Sequence, residues 1–158
     1  MAAGRYEGIF LGSVDGKGRI SIPAAFRDVI QQNAGDRRVV FMPSRSDKDC
    51  LDCFDSAGMA RIDAAHAERF PADEISEEEE EARFGTFGLA HNQGYEETGR
   101  CVIPEELREI AEIDALVLFV GGGSRGFQVW NPDLFLQYNK RPIFDKLVRN
   151  KLKKARAK

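Results

Sequence analysis

No apolar run in this 158-residue sequence approaches the roughly 20 consecutive residues that a membrane-spanning helix needs. The opening MAAGRYEGIF is too poor in apolar residues to form the core of a secretory signal. A soluble, cytoplasmic protein without a membrane partner is therefore expected. Cysteine is scarce and odd in number, with Cys50, Cys53 and Cys101 alone. That excludes the disulfide framework of a small secreted domain and fits a reducing compartment. Histidine is limited to His66 and His91. No nucleophile–base pair can be assembled from their spacing, and Ser21 stands in no nucleophile elbow. His66, after Ala64 and Ala65, reads as an exposed helical residue. No enzymatic activity, cofactor or small-molecule substrate is expected.

Two short stretches imitate chemical sites and fall short. CLDC (Cys50 to Cys53) has the spacing of half a zinc site, and His66 follows at a finger-like distance. His91 is too far on to complete the set, so buried thiols and no metal are expected. GGGSRG (Gly121 to Gly126) lacks the Lys-Ser/Thr of a phosphate-binding loop and leads into an apolar run of strand type. It reads as a hairpin loop between two strands, as does PSRSDKD (Pro43 to Asp49).

Net positive charge is also missing, since the formal charge is −3. Its distribution matters more than the sum. DEISEEEEE (Asp73 to Glu81) holds seven of the 26 acidic residues and no base, leaving 19 acidic against 23 basic elsewhere. The end of the chain, KRPIFDKLVRNKLKKARAK, is strongly basic. Either block reads first as a solvated face.

What the sequence does have is an internal duplication. DGKGRISIPAAFR (Asp15 to Arg27) is matched by EETGRCVIPEELR (Glu96 to Arg108). Gly18-Arg19 falls on Gly99-Arg100, Pro23 on Pro104, and Phe26-Arg27 on Leu107-Arg108. The likeness continues from RVVFM (Arg38 to Met42) to LVLFV (Leu116 to Val120), and from LDCFD (Leu51 to Asp55) to FQVWN (Phe127 to Asn131). Each half reads strand, turn, strand, helix, strand, loop, strand. Glycine supplies the positive φ of the turn. The residue before proline prefers extended backbone and proline suits the start of a helix, so Ile22-Pro23 and Ile103-Pro104 mark strand-to-helix changes. The continuous apolar runs VVFM and LVLFV predict strands buried on both faces. Ser56 to Ala82 reads as a helical connector broken near Pro71, with Asp55 or Ser56 as cap. Asn131-Pro132 predicts another helix start, and Pro142 should divide the helix that follows.

YEGIFLGSVDGKGRISIPAAFR, repeated in outline in the second half, resembles the MraZ family of bacterial transcriptional regulators, relatives of AbrB/SpoVT-type DNA-binding domains. The resemblance covers nearly the whole chain. It implies an α+β fold, mainly β with helices: a pseudo-two-fold β-barrel of two AbrB-like swapped-hairpin repeats, with connector and C-terminal helices. The expected divisions are repeat one at 6–54, connector at 55–83, repeat two at 84–131, and C-terminal helix with basic tail at 132–158. It further implies binding to short direct repeats in double-stranded promoter DNA of the division and cell-wall gene cluster. A nucleoid-associated, ring-like homo-oligomer is expected.

By this resemblance the DNA-binding residues are Asp15, Lys17, Gly18 and Arg19 in the first turn, and Glu96, Thr98, Gly99 and Arg100 in the second. The residue types suit the task. Arginine offers a rigid fork of donors for phosphate or guanine. Lys17 adds a phosphate contact, and an acid four residues before each arginine can hold that fork in one orientation. The second copy departs from the pattern, with Glu96 in place of Asp and Thr98 in place of Lys. The pairs could also do no more than stabilise their turns. An AbrB-like protein-interaction scaffold, binding through helices or basic tail, is the alternative function.

Overall fold

The computed structural model describes residues 4–72 and 75–157. Asp73 and Glu74 of the acidic run, the first three residues of the opening and Lys158 lie outside the described residues.

The duplication is visible in the element order. The first repeat comprises β1 (Ile9–Ser13), β2 (Arg19–Ser21), α1 (Ala24–Ala34), β3 (Arg38–Pro43) and β4 (Leu51–Phe54). Between the repeats lie α2 (Ser56–Arg69) and α3 (Glu77–Phe87), the latter running past the expected boundary at 83. The second repeat comprises β5 (His91–Gly94), β6 (Arg100–Val102), α4 (Glu105–Ile110), β7 (Leu116–Gly121) and β8 (Phe127–Trp130). Two helices close the chain, α5 (Pro132–Tyr138) and α6 (Pro142–Arg156).

The strands form a six-stranded sheet in the order β1-β7-β8-β4-β3-β5 and a two-stranded ribbon, β2-β6. Exchanging the repeats reverses the first order and leaves the second unchanged, so the pairing obeys a pseudo-two-fold. The hairpins are swapped: β1 pairs antiparallel with β7, and β5 with β3. The α+β class is as expected, but the described strands do not close into a barrel. β1 and β5 are the ends of the large sheet. The ribbon stays separate because each of its strands runs three residues before Ile22-Pro23 or Ile103-Pro104 ends the ladder.

Both prolines occupy the N-cap, one position earlier than the first helical residue, with nearly equal backbone angles (φ −52°, ψ 141° and 140°). The first helical bonds close on their carbonyls, from Phe26 and Arg27 to Pro23 and from Leu107 and Arg108 to Pro104. Asp55 caps α2 by accepting from the Gly58 N–H at 2.7 Å. Its buried carboxylate also accepts from the Tyr6 hydroxyl (2.7 Å) and Asn33 Nδ2 (3.1 Å), tying the start of the chain to the connector. Asn131 caps α5 through the N–H groups of Asp133 and Leu134, with Pro132 in the first turn.

Continuous apolar strands arise because both faces are covered. Val39 and Phe41 of β3, and Val117 and Phe119 of β7, enter the main core. Val40 and Met42 face Phe54, Met59 and Ile62. Leu118 faces Trp130, Phe135, Val148 and Leu152, so the C-terminal helices pack on their own chain. At the centre of the main core Phe26 is fully buried among the rings of Tyr6, Phe10, Phe119 and Phe127, at centroid distances of 5.5, 5.3, 6.5 and 4.8 Å.

The acidic run is not uniformly a solvated face, nor is His66 an exposed helical residue. Glu79 is buried, accepting from Arg83 Nε (2.8 Å) and Nη2 (3.0 Å) and lying 2.8 Å from His66 Nε2. The Arg83 hydrogen bonds, helped by His66, hold its carboxyl below the usual range against the opposing effect of burial. His66 packs against Phe70 and Phe87. This cluster fastens α3 to α2.

Phe26→Ala removes the ring that joins both repeats. It is expected to lower stability by about 3–5 kcal/mol, read as a lower urea midpoint at unchanged slope. A loss under about 1 kcal/mol would contradict this packing.

Candidate nucleic-acid interface

The turn from β1 to β2 is closed by its backbone and by one side chain. Gly18 N–H donates to the Asp15 carbonyl (3.0 Å), and Asp15 N–H to the Arg19 carbonyl (3.1 Å). Gly18 has φ of 76°, a conformation that glycine adopts without steric cost. Asp15 Oδ1 accepts from the N–H groups of Lys17 and Arg19, both at 2.9 Å. Asp15 Oδ2 accepts from Arg19 Nε at 2.6 Å.

The turn from β5 to β6 repeats the backbone pattern. Gly99 N–H donates to the Glu96 carbonyl (2.7 Å), Glu96 N–H to the Arg100 carbonyl (2.9 Å), and Gly99 has φ of 89°. The side chains differ. The carboxylate of Glu96 makes no hydrogen bond or ion pair among the described residues, so it does not orient Arg100 as the repeat suggests. Glu96 is one methylene longer than Asp15, and that is the side-chain difference between the two turns at this position. Arg100 instead turns to the other repeat, with Nη2 at 3.8 Å from Asp15 Oδ2. One carboxylate therefore stands beside both guanidinium groups.

The ribbon register explains why both arginines share a face. Ile20 pairs with Cys101, Arg19 with Val102 and Ser21 with Arg100. Strand alternation puts Ile20 and Cys101 inward, where both are buried, and Arg19, Ser21, Arg100 and Val102 outward. The side chains of Arg19 and Arg100 are 37% and 50% exposed. Lys17 and Thr98 are exposed at the two turns, whereas Gly18 and Gly99 are buried. Ion pairs as exposed as these contribute little to stability, because water screens them. Asp15 therefore acts mainly on the direction of the Arg19 fork, which it hydrogen-bonds, and stands at ion-pair distance from Arg100.

Two further arginines build the site. Arg27, on α1, donates through Nε to the Ile22 carbonyl (3.1 Å) and through Nη1 to the Glu97 carbonyl of the other repeat (2.7 Å). A Cβ on Gly99 would lie 2.9 Å from Arg27 Nε and 2.6 Å from the Ile22 carbonyl. Arg108, on α4, donates to the Ile103 carbonyl (2.9 Å), and its guanidinium lies where a Cβ on Gly18 would be. Each helix arginine thus packs over the turn of the opposite repeat. Sequence reasoning gave them no role, although the matched Phe26-Arg27 and Leu107-Arg108 positions carry the signal.

The cysteines lie elsewhere in the packing. Cys50, Cys53 and Cys101 are buried, and burial pushes the thiols of Cys50 and Cys101 up to about 12 and that of Cys53 well above its usual value. Among the described residues, no group of three or more His, Cys, Asp or Glu side chains is placed to hold a metal ion. His91 Nε2 lies 2.9 Å from Glu106 Oε1. No described helix is long and apolar enough to cross a membrane.

No protein-family profile matches the chain. Among curated proteins, the "Transcriptional regulator MraZ" of Gluconobacter oxydans is 34% identical over 131 residues, covering 79% of this chain and 77% of its own. The protein of that name from Gluconacetobacter diazotrophicus is 32% identical over 130 residues, covering 78% and 79%. That from Ruegeria pomeroyi is 29% identical over 141 residues, covering 85% and 82%.

The Asp15 carboxyl is held down to about 2, first by the Arg19 N–H and then by the Arg19 side chain and the Lys17 N–H, with desolvation opposing. Because its folded value is depressed, its contribution to the turn is present above the ordinary value of 3.8 and is lost as pH falls through about 2. Arg19→Ala removes the side-chain partner but leaves the backbone donors. NMR titration should therefore show the Asp15 midpoint rise in Arg19→Ala while staying below 3.8.

Proposed function

The chain belongs to the MraZ family of transcriptional regulators, and from that basis we propose that it binds double-stranded promoter DNA through the outer face of the β2–β6 ribbon. The observation that carries this reading is the exposure of Arg19 and Arg100 on one face, beside the shared carboxylate of Asp15. Arg19 and Arg100 contact guanine edges or phosphates; Lys17 supplies a phosphate contact, and Thr98 takes its place in the second turn. Gly18 and Gly99 let the backbone approach while the helix arginines cover their inner side. Asp15 orients the Arg19 fork and offsets the charge of Arg100 beside it.

The two turns do not act alike. In the first, the acid is committed to Arg19 and the turn backbone. In the second, Glu96 is exposed and can accept from a cytosine amino group. One subunit thus presents two different readers. The proposed targets are short direct repeats ahead of division and cell-wall genes, read by a cytoplasmic, nucleoid-associated ring of identical subunits. Multivalency raises affinity without new contacts in any one subunit. Ile143 and Leu147, 65% and 40% exposed on α6, favour a self-contact there.

The test is fluorescence anisotropy on the chain's own upstream DNA across a salt series. Binding should fall with a log–log slope of about −0.9 per phosphate contact. Arg19→Ala and Arg100→Ala should each cost about 1–3 kcal/mol, with oligomer size unchanged. Undiminished promoter binding by the double variant would refute the interface.

A further inference from the structure

A second site lies away from the ribbon, where the pseudo-two-fold is broken. The tips of the β3–β4 and β7–β8 hairpins and the helix α2 enclose an open cleft of about 920 Å³. Sites for small ligands typically occupy about 300–1,000 Å³. We propose that this cleft binds a small anionic ligand bearing phosphate on an apolar or aromatic body, a nucleotide in chemical class.

Three arginines line it. Arg45 and Arg125 come from corresponding hairpin loops, and Arg61 from α2. None of the three forms an ion pair with a carboxylate among the described residues. The acid within the cleft, Asp52, is already committed: Oδ2 accepts from the Arg45 N–H (2.9 Å) and Oδ1 from Gln128 Nε2 (3.0 Å). Arg61 is anchored, with Nη2 donating to the Ser124 carbonyl at 3.1 Å. That bond fixes the stem while the other guanidinium nitrogens remain for a ligand. In a chain of net charge −3, three cations face one carboxylate, Asp52, around this concavity and leave it locally electropositive, with positive charge still to be balanced. An incoming phosphate balances that charge and meets the bidentate geometry arginine favours.

The floor differs in character. Phe54, Ile62 and Val120 give it apolar surface suited to a ring or other apolar body. The shape is held by close backbone packing: a Cβ on Gly126 would collide with the Cys53 carbonyl, so the β7–β8 tip reaches this position because the residue is glycine. The pseudo-symmetric counterpart of α2 is α5, whose sequence PDLFLQY contains no base. The three-arginine site therefore occurs on one side only.

Isothermal titration calorimetry on the full chain tests this with ATP, adenosine and inorganic pyrophosphate as probes. ATP should bind, with adenosine and pyrophosphate each about tenfold or more weaker. The double variant Arg61→Gln/Arg125→Gln, altered at exposed positions only, should weaken ATP about tenfold or more while keeping its circular dichroism and its promoter affinity. Arg19→Ala/Arg100→Ala should bind ATP as the parent does. Absence of ATP binding, or equal ATP binding by the Arg61/Arg125 variant, would overturn the site. Equal affinity for pyrophosphate and ATP would overturn the role given to the apolar floor.

Discussion

Two backbone hydrogen bonds tie each repeat to the other's turn. Ile22 N–H donates to the Gly99 carbonyl at 2.9 Å, and Ile103 N–H donates to the Gly18 carbonyl at 3.1 Å. They extend the β2–β6 ribbon to the prolines at either end. The turns at Gly18 and Gly99 must therefore form side by side, and the residues after them must emerge on one face. Arg19 and Arg100 have no freedom to diverge without breaking this pairing. The buried partners Ile20 and Cys101 hold the ribbon against the sheet from below, so its outward side is also fixed.

The same constraint gives the glycines and the helix arginines a common explanation. A side chain on either glycine would meet a guanidinium from the opposite repeat, besides adopting a strained positive φ. Arg27 and Arg108 cover the turns from behind, while Arg19 and Arg100 extend outward. Charge is divided by position: Asp15 faces the exposed pair, whereas the helix pair is satisfied by the carbonyls of Ile22, Glu97 and Ile103. The departure of Glu96 from the first repeat's pattern then changes the outer surface while leaving the shared backbone intact. A duplicated frame can thus carry two unequal surfaces.

Much of this frame was legible in the sequence because its determinants are local. Gly-Arg, Ile-Pro and the apolar runs recur at matched spacing, and Asp55 and Asn131 are capping residues directly before helices. What escaped depended on contacts between distant segments. The swapped pairing of β1 with β7 and of β5 with β3 has no local signature and was expected only through the family resemblance, while the ribbon's failure to close the sheet follows from where two prolines stop it. Arg27 and Arg108 resemble ordinary solvated helix residues until the opposite turn is placed beside them. Glu79 cannot be told from its glutamate neighbours in Glu77 to Glu81, yet it alone is buried against His66 and Arg83. Arg100 lying beside Asp15 rather than orienting on Glu96 is likewise a consequence of tertiary register.

The claim that each repeat fixes the other's turn is tested most directly by amide hydrogen exchange in Arg27→Ala. The substitution lies in the first repeat and removes a bond to Glu97 in the second. Exchange should accelerate at Thr98, Gly99 and Arg100, with smaller changes at Lys17 and Gly18. Unchanged exchange across Thr98 to Arg100, or acceleration confined to the first repeat, would contradict the reciprocal construction.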